Sequence, residues 1–341
     1  MKTKWLLLAG IAAGVLLAVA VMPMLSTSAI AAKAKAPEDS GAAAGQYDPT
    51  RAGGYNANEV KKMEAALPTE AFAKPAKARK LLVYVESTGF YHDSIPLAAV
   101  AIKAMGDKLG TWETTWNKDM NFFTAENLAK YDGVYMDNTV TDSPKDPAGR
   151  QAYIDFVKNG GGLMGHHAGA DCNHSWPEYF NMIGGEFAGH PWGKASVKID
   201  DPQSPLTAMF GGKSFVISEE MYTFKQVTPQ RPEGYSRDKL HILLSVDMDA
   251  SKYKDTTRKD MDYGLAWIHE YGKGHVFYCA FGHAHDHFYN PTLLKFYLAG
   301  IQYALGDLKA DDTPSAKLKD HKINPGPDMS TPVINPINPG K

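Results

Sequence analysis

One segment decides the fold of this chain, and it reads Gly160-Gly161-Gly162-Leu163-Met164-Gly165-His166-His167-Ala168-Gly169-Ala170-Asp171. The glycine run ends one element, and the short apolar stretch after it is typical of a buried strand. A strand that enters a G-x-X-x-G turn has the geometry of a nucleophile elbow, which lifts its middle residue above a parallel sheet. That middle residue is His167, where a hydrolase would carry Ser or Cys. The segment therefore predicts an α/β fold with a histidine at the edge of the sheet.

The pattern on both sides of this segment supports the same fold class. Upstream, apolar runs at 80–86, 111–116 and 132–137 alternate with helical stripes at 94–109, 125–131 and from Pro147. Such alternation predicts a doubly wound, mostly parallel sheet flanked by helices. Downstream, strand-like segments follow one another up to residue 280, before a final helix at 292–305. We therefore expect additional strands in the C-terminal half.

The two ends of the chain differ in composition from its body. Lys2 and Lys4 precede an uncharged apolar stretch that ends in Ala29-Ile30-Ala31, a pattern that predicts a signal peptide or an N-terminal anchor over residues 1–31. Residues 32–78 are expected to form a flexible linker, 79–308 the α/β domain, and 309–341 a Pro-rich disordered tail. The protein is thus expected to be exported to the periplasm or the outside of the cell. Any membrane contact would be through an uncleaved N-terminus.

Composition excludes several classes of function. Of 341 residues, 36 are Lys or Arg and 38 are Asp or Glu, so the chain lacks the positive charge of a nucleic-acid-binding protein. Two cysteines, Cys172 and Cys279, provide neither a disulfide framework nor a Cys-based zinc motif. Histidines are the more informative residues.

Histidines cluster after predicted strand ends, where ligands bind in open α/β sheets. We expect His167, His190 and His283 to bind a divalent metal such as zinc, because imidazole is a common ligand of such ions. Catalytic acid–base roles are predicted for His92, His167, Asp171 and Glu220. His92 could equally be a surface residue beside a helix cap, and a His-x-His-x-His run such as 283–287 also occurs on ordinary loops.

Aromatic residues adjoin these motifs and suit the apolar faces of sugar rings. The predicted substrate-binding set is Tyr91, Trp176, Tyr179, Trp192 and Tyr222. Aromatic residues are also ordinary core material, so the pattern leaves both readings open. Glu219 and Glu220 should point to opposite faces of a strand, which makes hydrolysis by a carboxylate pair the weaker hypothesis.

These motifs together resemble the ThuA-like, trehalose-utilisation family. The resemblance rests on Gly89-Phe90-Tyr91-His92, the segment 160–171, Trp176-Pro177-Glu178-Tyr179, His190-Pro191, Glu219-Glu220-Met221-Tyr222, and Gly274-His275-Val276-Phe277-Tyr278 running into Gly282-His283. It spans nearly all of residues 80–308. It implies a class I glutamine amidotransferase-like (flavodoxin-like) fold without the cysteine nucleophile. Two positions depart from the family pattern: Glu219 replaces Asp, and His166 replaces an apolar residue.

The resemblance also implies a role in bacterial sugar metabolism, on keto-disaccharides made by a partner sugar dehydrogenase. We therefore expect a carbohydrate-active enzyme, a lyase, isomerase or hydrolase, that acts on a keto-disaccharide or glycoside by metal- or histidine-assisted acid–base chemistry. The alternative is a non-catalytic sugar-binding or surface assembly module. An amidotransferase ranks third, because the elbow has no cysteine.

Overall fold

A computed structural model describes residues 54–254, 258–319 and 322–335. The predicted signal or anchor, and the linker up to residue 53, lie outside the described residues. The strands are β1 (Lys80–Tyr84), β2 (Glu113–Asn117), β3 (Gly133–Asp137), β4 (Gly162–His166), β5 (Phe187–Ile199), β6 (Phe215–Phe224), β7 (His241–Val246), β8 (Gly264–Tyr271) and β9 (Gly274–Cys279). The α-helices are α1 (Ala57–Ala66), α2 (Ile95–Leu109), α3 (Ala125–Leu128), α4 (Pro147–Lys158), α5 (Pro177–Ile183), α6 (Met248–Ser251) and α7 (Pro291–Ala304).

All nine strands form one sheet in the order β2-β1-β3-β4-β9-β8-β7-β5-β6. Strands β2, β1, β3, β4 and β9 pair in parallel, whereas β8, β7, β5 and β6 continue the sheet with antiparallel pairings. The predicted fold class is confirmed, including the additional strands of the C-terminal half. The antiparallel share is large, because every pairing beyond β9 is antiparallel.

The local sequence explains where the strands and helices of the parallel half begin and end. The strand β1 is buried along Leu81–Tyr84, as expected of a strand covered on both faces. Helix α2 has Pro96 in its first turn and ends at Gly110, whose φ of 62° is the left-handed conformation that glycine adopts at low cost. Helix α4 begins behind Asp146, whose carboxylate accepts a hydrogen bond from the Gly149 N–H.

The parallel arrangement brings several loops to one edge of the sheet. Asp137 at the end of β3 is in register with His166 at the end of β4, and His166 is in register with Cys279 at the end of β9. The loops that follow β1, β3, β4 and β9 therefore start side by side. This edge is the place where an open α/β sheet binds its ligands.

The described part of the predicted linker is ordered against the domain. Helix α1 has a capping box between Asn56 and Glu59, and it buries Val60 and Met63. Further along, the Gln302 side chain accepts hydrogen bonds from the N–H groups of Phe72 and Ala73. Composition predicted a flexible linker here, whereas the described residues of this segment include a helix capped by Asn56.

The C-terminal segment differs from the predicted disordered tail over its described residues. Asn324 bridges to Ile199 of β5, and Val333 bridges to Val216 of β6. Asn335 donates to the Ser218 carbonyl oxygen at 2.7 Å and accepts from the Ser218 N–H at 3.0 Å. The segment buries little apolar surface, so composition alone suggested disorder, but it satisfies the free backbone groups at the edge of the sheet. No helix among the described residues is long and apolar enough to span a membrane.

One buried histidine links this segment to strand β7. His241 places Nδ1 2.8 Å from the Thr313 carbonyl oxygen and Nε2 2.9 Å from Asp201 Oδ2. Both neighbours accept hydrogen bonds, so the ring must be the doubly protonated imidazolium to bond with both. Burial alone would lower the pKa of His241, but the bonds to Asp201 and Thr313 outweigh it and raise that pKa.

We predict a pH-dependent stability difference between the wild type and His241→Gln. Because the folded-state pKa is raised, the contribution of the charge is complete below the unfolded pKa of about 6.5 and is lost as the pH rises through the folded pKa. At about pH 6 the variant should lose roughly 1.5–3 kcal/mol in urea unfolding, the usual range for hydrogen bonds to charged groups. The difference should shrink toward alkaline pH, and a difference that grows with pH would contradict this account.

Candidate metal and active site

Four side chains from four separate loops or strands converge at the carboxyl edge of the sheet. They are His92, His167, Glu220 and His283, and one ligand atom of each lies within 4.8 Å of the others. His92 follows β1, His167 follows β4, His283 follows β9, and Glu220 comes from β6. The convergence therefore depends on the complete sheet rather than on one local motif.

A hydrogen bond to the protein backbone orients the His167 ring so that Nε2 faces the other three residues of the group. Its Nδ1 lies 2.9 Å from the Ala280 carbonyl oxygen, which can only accept, so Nδ1 carries a proton and Nε2 is the ring nitrogen that faces the group. The His167 backbone has φ of 44°, an unusual value for a residue with a side chain. The Tyr278 hydroxyl donates to the His167 carbonyl oxygen at 2.7 Å and so helps to hold this turn. The elbow predicted from the sequence is thus present, with an imidazole at its tip.

Glu220 provides the carboxylate that faces two of the imidazoles. Its Oε2 lies 3.3 Å from His167 Nε2 and 3.2 Å from His283 Nδ1. The imidazoles of His167 and His283 together lower the pKa of the Glu220 carboxyl far below its usual value. In turn, the Glu220 carboxylate raises the pKa of His283, against the opposing effect of burial.

His92 closes the inner side of the group. Its ring packs edge to face against His167 at 4.9 Å and against His283 at 5.3 Å between centroids. Burial, followed by the nearby His167 and His283, lowers the pKa of His92 to about 3. His92 is therefore neutral at physiological pH, which is the form of imidazole that binds metals.

The donor set fits a divalent transition metal. His92 Nδ1, His167 Nε2 and His283 Nδ1 are buried, and apart from the Glu220 carboxylate they have no polar partner among the described residues. Three imidazoles and one carboxylate form a ligand set that suits zinc, with metal–nitrogen bonds of about 2.0–2.1 Å. Glu220 Oε2 lies 3.3 and 3.2 Å from two of the nitrogens, and all four ligand atoms lie within 4.8 Å of one another, so one small cation would be within reach of each of them.

The group is open to solvent on one side. The side chains of His283 and Glu220 are 36% and 29% exposed, whereas His92 and His167 are buried. His190 lies on this open side, with Nδ1 3.8 Å from Glu220 Oε1 and a side chain that is 46% exposed. His190 is thus a neighbour of the group rather than one of the four residues that compose it, and its role as a ligand stays a prediction.

A buried ion pair positions the loop that carries His283. Glu219 Oε2 accepts hydrogen bonds from the N–H groups of Gly282 at 2.8 Å and His283 at 3.2 Å, and it lies 3.0 Å from His287 Nε2. Burial opposes ionisation of Glu219, but His287 overcomes it and lowers the Glu219 pKa to about 2. The same carboxylate raises the pKa of His287 to about 8 despite its burial. Asn335 of the C-terminal segment contacts this pair, at 3.3 Å from His287 Nε2.

The structure separates Asp171 from the four-residue group. Asp171 Oδ1 lies 2.9 Å from His174 Nε2, and the other nitrogen of His174 faces Glu186 at 3.3 Å. Asp171 follows the turn that carries His167, so sequence proximity suggested a shared site. In the structure the short helical turn 167–170 ends before Asp171, and the carboxylate bonds to His174 instead.

The predicted sugar-binding aromatics have mainly structural surroundings. Trp176 and Tyr179 are buried in the core, and the Tyr179 hydroxyl donates to the Gly169 carbonyl oxygen. Tyr91 packs on the same core, and Trp192 stacks on Tyr253 at 4.7 Å. Only Tyr222 contacts the group directly: its ring lies 4.0 Å from that of His167, and the side chain is itself buried. Adjacency along the sequence gave no information about which way these rings point.

The other candidate residues are less suited to catalysis or metal binding than the four-residue group. His166 is fully buried, with Nδ1 3.1 Å from the Tyr135 hydroxyl, and so points away from His167. Cys172 is buried as well, and burial raises its pKa to about 12, which makes it a poor nucleophile. A second group, Glu270, His275 and Asp312, is more exposed and has a single imidazole.

Glu219 and His287 form the pair that positions the 282–283 loop, and sequence reasoning missed them in this role. The His-x-His-x-His run was the only sequence pattern that pointed to this pair.

The fold and the histidine-rich edge define a ThuA-type α/β domain. The family model described as "ThuA: Trehalose utilisation" matches residues 80–304, and the chain belongs to this family. A ThuA-like protein from Bacteroides uniformis ATCC 8492 is similar in structure, with 24% identity and a TM-score of 0.50, over 72% of this chain and 99% of that one. One from Parabacteroides merdae ATCC 43184 has 14% identity and a TM-score of 0.47, over 71% of this chain and all of its own. No curated protein matches the sequence.

We predict that Glu219→Gln destabilises the protein, because it leaves the buried His287 without its countercharge. Removal of one partner from a buried ion pair costs about 3–5 kcal/mol, and urea unfolding measures it. The control is Asp107→Asn, which breaks an exposed pair with Lys103 at 3.0 Å and should cost less than about 0.5 kcal/mol. Equal losses in the two variants would show that the Glu219–His287 pair does not hold this loop.

Proposed function

We propose that this protein is an exported enzyme that acts on a keto-disaccharide or a related glycoside at a centre formed by His92, His167, Glu220 and His283. The observation that carries the proposal is the convergence of three imidazole nitrogens and one carboxylate oxygen within 4.8 Å, with no other polar partner among the described residues and open on one side. Family membership in trehalose utilisation supports the choice of a sugar as substrate.

The donor set supports a role for a divalent metal, zinc or a similar ion. When bound, such an ion polarises a carbonyl oxygen and stabilises the negative charge that develops there. Protein groups would then do the remaining work. His92, His167 and His283 hold the ion as neutral imidazoles, and Ala280 fixes the tautomer of His167.

His190 is the best-placed group for proton transfer. It lies beside Glu220 on the open side, its side chain is largely accessible, and it is not needed as a ligand. A carbon–hydrogen bond next to a ketone is acidic. His190 would take that proton while the bonding electrons move to the carbonyl oxygen and form an enolate. In a lyase the enolate then re-forms the carbonyl, a carbon–carbon double bond forms, the bond from the next carbon to the leaving oxygen breaks, and the His190 imidazolium protonates that oxygen. In an isomerase the imidazolium returns the proton to the opposite face of the same carbon. Such steps are those of an isomerase or a lyase.

Hydrolysis by a carboxylate pair has less support. Glu219 is 4% exposed and bonds to His287 and to the backbone of the 282–283 loop, so it is committed to positioning. Glu220 is the only carboxylate among the four residues of the group. A second carboxylate across an open cleft, as glycosidases require, is therefore missing from that group.

The N-terminal sequence pattern supports an exported setting for the reaction. We propose that the protein acts in the periplasm or outside the cell, soluble or held by its N-terminus. A sugar dehydrogenase would supply the keto group, because an ordinary disaccharide lacks the acidic carbon–hydrogen bond that this chemistry requires.

The metal content of purified variants tests this proposal. We expect about one equivalent of zinc or a similar ion in the wild type, and a large loss in His167→Ala and in His283→Ala, because each removes one ligand of a small set. His174→Ala is the matched control: His174 is exposed and pairs with Asp171 and Glu186, so its removal should leave the metal content unchanged.

Calorimetry and turnover of keto-trehalose complete the test. Wild-type protein should convert the sugar, and a chelator or His167→Ala should abolish conversion. A metal-free protein that binds sugar equally well with and without chelator would overturn the enzyme proposal and favour a non-catalytic sugar-binding module.

A further inference from the structure

One large apolar side chain stands exposed beside the four-residue group. Among the described residues, Phe90, Val227, Met261 and Ile323 are the exposed large hydrophobic residues, and Phe90 at 65% is the most exposed. The other three line one cavity elsewhere, whose lining includes none of the four site residues. The Phe90 ring lies 4.7 Å from the His92 ring, at an interplanar angle of 70°. A single exposed apolar side chain is ordinary by itself, and what distinguishes Phe90 is its contact with His92 of the four-residue group.

The backbone around Phe90 is fixed by hydrogen bonds. The Ser87 hydroxyl donates to the Phe90 carbonyl oxygen at 2.8 Å and accepts from the Val140 N–H at 3.1 Å. The N–H groups of Thr88 and Gly89 both donate to the Val140 carbonyl oxygen, at 3.1 and 2.8 Å. A side chain at Gly89 would collide with Val140, so the loop packs closely on the segment after β3. Phe90 is thus held in place by its backbone while its ring faces solvent.

We propose that Phe90 is the stacking platform for a pyranose ring of the substrate, an inference that rests on the proposed function and names the residue that selects its substrate class. A pyranose has one face of carbon–hydrogen groups and a rim of oxygen atoms. The apolar face would lie on Phe90, and the oxygen rim would face the adjoining four-residue group, which Phe90 contacts through His92. A fixed apolar surface beside a few convergent polar groups is the usual composition of a sugar site.

A purely structural role would make different demands on this position. If Phe90 only shielded His92 from water, any apolar side chain of similar size would serve. Stacking on a sugar face requires a flat aromatic ring. Phe90→Leu and Phe90→Trp therefore separate the two roles, because both are apolar and only one is aromatic.

The experiment measures binding of trehalose and keto-trehalose by calorimetry to the zinc-loaded full chain, together with the metal content of each variant. We expect Phe90→Leu to keep its metal and to weaken binding roughly five- to tenfold, and Phe90→Trp to bind within about twofold of the wild type. Ile323→Ala, which removes an exposed apolar side chain from the other cavity, should match the wild type.

The outcomes separate this inference from the proposed function. Wild-type affinity in a metal-loaded Phe90→Leu would overturn the stacking role and leave the metal centre standing. A second outcome would also overturn the stacking role, in favour of a shield for His92. In that outcome Phe90→Leu loses metal, Phe90→Trp keeps it, and the metal-loaded molecules of both variants bind sugar with wild-type affinity. A wild-type protein without metal or sugar affinity would overturn the proposed function, and this inference with it.

Discussion

The rest of the structure depends on one constraint: three imidazole nitrogens must be kept next to one carboxylate, with no other polar group among the described residues to bond to. Buried polar atoms normally find hydrogen-bond partners, and leaving one unsatisfied costs about 1–3 kcal/mol. Here His92, His167 and His283 each leave a ring nitrogen unpartnered among the described residues, all within reach of Glu220. A cation at their centre would satisfy all of them together. Such an arrangement is stable without the cation only if each ligand is held from outside the group.

The fold supplies that external support at several levels. Ala280 fixes the ring of His167 through its carbonyl oxygen, and the buried Glu219–His287 pair fixes the backbone of the loop that carries His283. Asn335 reaches that pair from the C-terminal segment and bonds to β6, the strand that also carries Glu220. The parallel half of the sheet thus provides the three histidines, and the antiparallel half provides the carboxylate and its support. This division explains why a sheet extended beyond β9 is needed for the site.

Much of the fold could be predicted from the sequence, because apolar runs, helix stripes and terminal glycine and proline residues are local signals. The positions of His92, His167 and His283 could also be predicted, since residues that follow parallel strands share one edge. The direction of a side chain beyond that edge has no local signal. For this reason the sequence could not show that Asp171 bonds to His174 or that Trp176 and Tyr179 enter the core. Nor could it show that His190 lies just outside the four-residue group. The described C-terminal residues are ordered through hydrogen bonds that composition does not reveal.

The most direct test of the central claim is anomalous X-ray diffraction from crystals of the zinc-loaded protein, recorded on both sides of the zinc absorption edge. The account predicts one strong peak at bonding distance from ring nitrogens of His92, His167 and His283 and from a carboxylate oxygen of Glu220. A peak at Glu270, His275 and Asp312 instead, or no peak at the four-residue group in fully loaded crystals, would contradict it.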